Sequence, residues 1–349
     1  MKDRSIQLYD KSNMRQLLID FHKQVTEAVS IGAKAKINLK KSSIKNIVVT
    51  GLGGSAIGSD ILRSYLASDL NLPFVVNRHY FLPDFVDKNS LVVVSSYSGN
   101  TEETIAAHQD AQKRGAQVLC ISSGGETEKL AKKYNHPIIK IPKGYPPRAA
   151  LGFSFFPLLM ALVKIGLIKN RDKEIKETIS FLKKKSLQYQ NLDAEKNPTL
   201  LLASELFKKI PIIYSSADRF DSVNIRWRGQ LCENSKVLAF GHTLPEMNHN
   251  ELVGWKVLKR QMSEMAVIFL RDKADHKRVQ IRMNIMQDIM NEYAGNVLNI
   301  SSAGNSPLTR IFSLIYFGDW VSYYLAIING IDPTPVTIID YLKNELAKV

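Results

Sequence analysis

Short runs of uninterrupted apolar residues alternate with helix-like stretches, and this alternation most constrains what the chain can fold into. Ile47-Val48-Val49-Thr50, Phe74-Val75-Val76, Leu91-Val92-Val93-Val94, Gln117 to Ile121 and Ile138 to Ile141 read as strands. A strand wet on one face would alternate polar with apolar residues. These do not, so helices must cover both faces of a parallel α/β sheet. Helices are expected from about Gly58 to Ser68 and from Thr101. Phe153 to Asn197 is helical in pattern and ends in a polar stretch, Leu192 to Pro198, that reads as a connection. A weaker second round follows, with strands Ile212 to Tyr214, Val237 to Phe240, Ala266 to Leu270 and Val297 to Ile300. Helices lie between them at Asp221 to Glu233 and Lys277 to Tyr293, and two more close the chain near Pro307 to Asn329 and Val336 to Lys348. No letter-for-letter repeat links the rounds. The expected organisation is residues 1–152, a helical connection over 153–197, and a second α/β domain over 198–349, as the length of 349 residues favours.

Charge narrows the partners. The net charge of +14 is scattered as lysine pairs and triplets such as Lys132-Lys133 and Lys183-Lys184-Lys185. With no basic stripe interleaved with aromatics, a nucleic-acid partner is not expected, and a solvated basic surface or attraction of anionic metabolites is. Two cysteines, Cys120 and Cys232, make no disulfide framework and fit a reducing, cytoplasmic setting. Met1 to Asp10 has no apolar stretch, so no signal peptide is expected. Phe153 to Ile168 carries Lys164 and falls short of the roughly 20 apolar residues of a membrane span, so no membrane partner is expected.

Two turns carry the chemistry. Gly51-Leu52-Gly53-Gly54-Ser55-Ala56 follows the first strand and fits a G-x-G-x-x-A dinucleotide turn. That signal is weak, because any tight strand-to-helix turn favours small residues, and the second strand runs into Asn77-Arg78 rather than the acid an NAD site wants. Ser95-Ser96-Tyr97-Ser98-Gly99-Asn100-Thr101 follows the third strand, with Thr101 placed as an N-cap. Ser96, Ser98 and Thr101 would surround a helix start with hydroxyls, and neutral donors plus the helix dipole suit a phosphate. Taken singly, the segment also reads as a hydroxyl-rich turn with a cap. Paired with the Gly-Gly-Ser turn of a neighbouring strand, it favours an anion site at the carboxyl edge of one sheet.

Gly53-Gly54-Ser55 with Ser96-x-Ser98-Gly99-Asn100-Thr101-Glu102-Glu103-Thr104 resembles the sugar-isomerase (SIS) domain. Three further blocks resemble the bifunctional phosphoglucose/phosphomannose isomerase family: Pro146-Pro147-Arg148-Ala149-Ala150-Leu151-Gly152, Leu231-Cys232-Glu233-Asn234 and Pro245-Glu246-Met247-Asn248-His249-Asn250-Glu251. The resemblance implies two flavodoxin-like SIS domains and an enzyme that interconverts glucose 6-phosphate or mannose 6-phosphate with fructose 6-phosphate. It implies Glu233 as the base between C1 and C2, and His249, supplied by the other subunit of a homodimer, as the ring-opening group. Arg148 would face the enediolate, and Lys343 matches a lysine of the last helix, with Lys348 as the other candidate. Gly54, Ser55, Ser96, Ser98 and Thr101 would hold the phosphate. Thr334 and Thr337 both lie close to a threonine position linked to accepting mannose 6-phosphate.

The chemistry is coherent without the resemblance. One carboxylate reaching two adjacent carbons can move a proton through a cis-enediol. Glu233 falls near a helix end, where the dipole disfavours a negative charge; its neighbours alone would also suit a solvated carboxylate. An imidazole can lend a proton to the ring oxygen and take it back, although His249 between asparagines also fits a surface position. A guanidinium stiffened by two prolines can stabilise an enediolate, and a surface arginine is the plainer alternative for Arg148. No His-x-x-x-His or Cys-x-x-Cys appears, and His242 and His249 share a loop without a third ligand, so neither a metal nor another cofactor is expected. The rivals are an aminosugar-phosphate isomerase and a non-catalytic sugar-phosphate regulator.

Overall fold

In the computed structural model, which describes residues 1–346 and 348, the apolar runs pair as two all-parallel sheets. Two short helices, α1 (Asp3–Tyr9) and α2 (Met14–Ile19), open the chain. The first sheet holds β1 (Asn46–Thr50), β2 (Phe74–Asn77), β3 (Ser90–Ser96), β4 (Gln117–Ser122) and β5 (Ile138–Lys140), in the order β2-β1-β3-β4-β5. Its unit comprises Asp20–Ser180 with Ser306–Thr309 and includes α3 (Phe21–Lys34), α4 (Gly53–Leu66), α5 (Glu102–Lys113), α6 (Gly125–Lys133) and α7 (Leu151–Ile165). Every residue of β3 is buried, as a strand covered on both faces requires. Val48, Val92, Val94, Val118 and Cys120 pack with Ala107 and Ala111 of α5 and Ala131 of α6. This strand order reverses direction between β1 and β3, and ligands of such sheets bind beyond the carboxyl ends of the strands at that switch point.

Helix α8 (Asp172–Tyr189) contributes residues to both units. The second unit comprises Met1–Ile19, Phe181–Asn305 and the segment from Arg310 onward. Its strands are β6 (Ile210–Ser216), β7 (Phe240–Leu244), β8 (Met265–Arg271) and β9 (Asn296–Ser301), in the order β7-β6-β8-β9, so its switch point lies between β6 and β8. Around them are α9 (Pro198–Glu205), α10 (Asp221–Ser235), α11 (Lys259–Met262), α12 (Lys277–Met290), α13 (Pro307–Ile328) and α14 (Thr337–Leu346). Helix α13 is long and apolar enough by composition to cross a membrane, but 89% of its most apolar window is buried in the fold. Trp320, Tyr316, Tyr323 and Tyr324 are fully buried there. Each tyrosine hydroxyl finds an acceptor, as burial demands: Leu18 O at 2.8 Å, Asp10 Oδ2 at 3.1 Å and Tyr189 O at 2.5 Å. Two of those bonds hold residues 10 and 18 against α13.

Three expectations shift. Helix α4 starts at Gly53 rather than Gly58, because the Gly-Gly-Ser turn itself winds into the first helical turn. The strand expected at Val237 to Phe240 forms instead at Phe240–Leu244. Helix α10 runs on to Ser235 and is closed by Lys236 in the left-handed conformation (φ 56°), so residues 237–239 are spent returning to the sheet. Residues 1–19 group with the second sheet, and α7 with the first, although the sequence pattern draws its boundaries elsewhere.

Candidate active site

The two loops flanking the first switch point are stitched together. Ser55, in the first turn of α4, accepts the Tyr97 amide through its hydroxyl at 3.0 Å, and Ser95 Oγ donates to Ser55 O at 3.4 Å. Ser96 Oγ accepts the Gly99 amide at 3.1 Å and lies 3.1 Å from Thr101 Oγ1. Ser98 Oγ accepts the Asn100 amide at 3.2 Å. A hydroxyl that accepts from an amide keeps its own proton for another acceptor, so these serines are set as donors. Thr101 occupies the N-cap position of α5, yet its hydroxyl faces Ser96 and makes no capping bond; Leu52, at the N-cap of α4, makes none either. Where this chain caps a helix with a side chain it does so plainly, as Asn197 does for Thr199 and Leu200 of α9.

Glycine is required at two places here. Gly99 has φ +78°, and a Cβ there would sit 1.8 Å from Gly124 O, so only glycine lets the serine loop close. A Cβ on Gly54 would lie 2.4 Å from Pro147 O and 3.1 Å from the Arg148 amide. The Arg148 segment is therefore built directly against the Gly-Gly-Ser turn. Pro146 and Pro147 lead it into a short 3₁₀ turn, Pro147–Ala149. Gln24 fixes its far end, donating to Ala149 O at 2.9 Å and accepting the Gly152 amide at 2.8 Å. Tyr97 OH accepts the Tyr145 amide at 2.9 Å and ties the approach to the serine loop. Arg148 itself is buried. Gly54, Ser55, Ser96, Ser98, Thr101 and Arg148 thus occupy one connected corner of the first unit. Arg78, where an NAD site would want an acid, is ion-paired with Asp60 of α4.

The second unit carries the other three candidates on separate elements. Glu233 sits half-buried in the last turn of α10. That helix is fastened to α13 by a row of side-chain bonds. Arg226 grips Asp319 through Nε at 3.1 Å and Nη2 at 2.8 Å, with both side chains buried, and Gln230 adds a bond at 2.9 Å. Asn234 Nδ2 and Ser235 Oγ, the next two residues after Glu233, bond Ser322 Oγ at 3.0 Å and Ser322 O at 2.7 Å. Lys236 Nζ donates to Glu233 O at 2.6 Å and Pro333 O at 3.1 Å, which holds the Thr334 segment beside this helix end. His249 ends a 3₁₀ turn, Glu246–His249, and is exposed. Its loop is well pinned: Asn250 accepts the Glu251 amide, and Glu251 takes the hydroxyl of buried Tyr214, which Trp255 Nε1 also approaches at 3.2 Å. Lys343 lies exposed in the last turn of α14, whose described residues are all outside the core.

One cluster of metal-ligating types escaped the sequence. His108, Cys120 and His136 bring one donor atom each to within 4.8 Å of one another. They are 12 and 16 residues apart, on α5, on β4 and just before β5, and no short motif announces such a set.

Comparison with known proteins follows the same division. Residues 42–160 match the family model described as SIS domain, and residues 195–346 match bacterial phospho-glucose isomerase C-terminal SIS domain. The bifunctional phosphoglucose/phosphomannose isomerase of Caldicellulosiruptor bescii is 44% identical over 96% of this chain and 99% of its own length. A protein of the same description from Aquifex aeolicus is 36% identical over 87% of this chain and 91% of its own. A glucose-6-phosphate isomerase like protein of Thermus thermophilus, solved by crystallography, superposes with a TM-score of 0.66 at 16% identity, covering 95% and 96% of the two chains; at that identity it speaks for the fold.

Proposed function

Because this chain belongs to the bifunctional phosphoglucose/phosphomannose isomerase family, we propose that it interconverts glucose 6-phosphate and mannose 6-phosphate with fructose 6-phosphate. The observation that carries the reading is the set of amide-accepting hydroxyls at the first switch point, with the Arg148 turn laid against Gly54. Ser55, Ser96, Ser98 and Thr101 donate to the sugar phosphate, Gly54 adds a backbone amide, and the dipoles of α4 and α5 favour the charge. With the phosphate parked, Glu233 removes the proton at C2 of the aldose and returns it at C1 through a cis-enediol. Arg148 stabilises the negative oxygen of that intermediate, and Lys343 adds a second cation from the last helix. The side-chain bolts between α10 and α13 hold Glu233 as a base must be held, since small displacements of a reacting group are costly.

His249 protonates the ring oxygen on opening, and it serves the site of the partner subunit in a homodimer. Its exposure on a pinned loop supports that role. Of the two threonines, Thr334 is the better candidate for the mannose 6-phosphate preference, because Lys236 holds its neighbour Pro333 beside the Glu233 turn. In this scheme the unit of the first sheet supplies the phosphate loops and the unit of the second supplies the base. The enzyme works in the cytoplasm, a setting supported by two free thiols, Cys120 and Cys232.

The test is to incubate the purified protein with fructose 6-phosphate and identify the products. Formation of both glucose 6-phosphate and mannose 6-phosphate is expected. Absence of both, with fructose 6-phosphate bound, would favour a non-catalytic regulator. For the shared site, mixing Glu233→Gln with His249→Ala should restore activity in the heterodimer, and no recovery would mean each subunit is self-sufficient.

A further inference from the structure

We propose that His108, Cys120 and His136 form a binding site for a thiophilic cation, Zn²⁺ in the first instance, inside the first unit. His108 Nε2 lies 3.0 Å from His136 Nδ1 and 3.8 Å from Cys120 Sγ, and all three donor atoms fall within 4.8 Å of each other. A tetrahedral zinc with its usual Zn–N and Zn–S lengths needs N···N near ~3.3 Å and N···S near ~3.6 Å. Two of the three edges are therefore within a few tenths of an ångström of a coordinated set. The third closes by a swing of His136, which is only half-buried.

The surroundings match what metal-bound imidazoles need. His136 Nε2 points at Gln112 Oε1, 2.8 Å away, so a side-chain carbonyl orients the ring and frees Nδ1 as the ligand atom. The donor set is two imidazoles and one thiol with no carboxylate, which selects zinc-like ions over magnesium or calcium. The cation displaces the Cys120 thiol proton to solvent on binding. Three protein ligands leave the fourth position to water. A cation here would tie together α5, β4 and the start of β5, and α5 is the helix that opens at the serine loop. The inference stands independently of the proposed reaction.

The experiment uses the untagged full chain carrying Cys232→Ser, which removes the exposed thiol, stripped with a chelator and titrated with Co²⁺ as a spectroscopic stand-in for zinc. One Co²⁺ per chain is expected, with a thiolate-to-cobalt charge-transfer band and the visible bands of tetrahedral cobalt, all erased by Zn²⁺. Cys120→Ala should abolish the charge-transfer band, and His136→Gln should weaken binding at least tenfold while circular dichroism shows an intact fold. If Cys120→Ala does not fold, the half-buried His136→Gln carries the test. No charge-transfer band at saturating Co²⁺, a band that survives Cys120→Ala, or an affinity unmoved by His136→Gln would each overturn the proposal.

Discussion

At the switch point of the first sheet, between β1 and β3, the chain supplies hydroxyls and glycines; at the equivalent place in the second, between β6 and β8, it supplies carboxylates. In the second crevice Asp275 accepts from Ser216 Oγ at 2.6 Å and from the Asp272 amide at 2.9 Å. Asp272 in turn accepts the Ala274 amide at 2.7 Å, Arg310 Nε at 2.8 Å and the Ser302 hydroxyl. The amides that could greet an anion are thus consumed by internal acids, and burial pushes the Asp275 carboxyl above its ordinary range. In the first crevice serine oxygens take the amides, and a hydroxyl that accepts in this way still has a proton to donate. Two sheets of matching strand order therefore differ in what they can hold, and topology decides where a ligand sits while side chains decide which ligand it is.

The sharpest way to break this contrast is to install the second crevice's chemistry in the first. Ser98→Asp puts a carboxylate where the phosphate is proposed to sit, and because Ser98 is exposed the fold should tolerate it. Steady-state kinetics should show kcat/KM reduced by about 10²–10³, the size of a few kcal/mol of like-charge repulsion, at a nearly unchanged Tm. A smaller loss is expected from Gly54→Ala, whose Cβ would press on Pro147 O and push the Arg148 turn away. A displacement of that kind should lower kcat/KM by roughly 10- to 100-fold. The mildest change belongs to the second crevice. Ser302→Ala deletes one bond to Asp272 and should lower Tm by about 5 °C without altering KM. A rise in KM for Ser302→Ala as large as that for Ser98→Asp would erase the distinction between the crevices.

Much of this arrangement is legible in the sequence because its causes are local. The apolar runs Val48-Val49 and Leu91 to Val94 declare doubly covered strands, and the spacing of Ser96, Ser98, Gly99 and Thr101 declares a hydroxyl-lined helix start. What the sequence hides depends on distant partners. Residues 1–19 join the second unit through tyrosines roughly three hundred positions away, such as Tyr316 to Leu18, and no pattern near the amino terminus reports that. The β7 register depends on where α10 stops, which the left-handed Lys236 sets. His108, Cys120 and His136 meet only because β4 and α5 pack face to face, and Cys120 alone reads as one more apolar strand residue. Among the candidate site residues, the hydroxyls and glycines of the two turns announce themselves by turn chemistry, whereas Arg148 and Glu233 stand out through the resemblance of their blocks.

The proposed proton transfer by Glu233 is tested directly by incubating the protein with fructose 6-phosphate in D₂O and following deuterium at C1 of the ketose and C2 of the aldoses by NMR. The native chain should label both positions, and Glu233→Gln should slow labelling by about 10²–10⁴ while fructose 6-phosphate still binds. Labelling that continues at the native rate in Glu233→Gln would show that another group moves the proton.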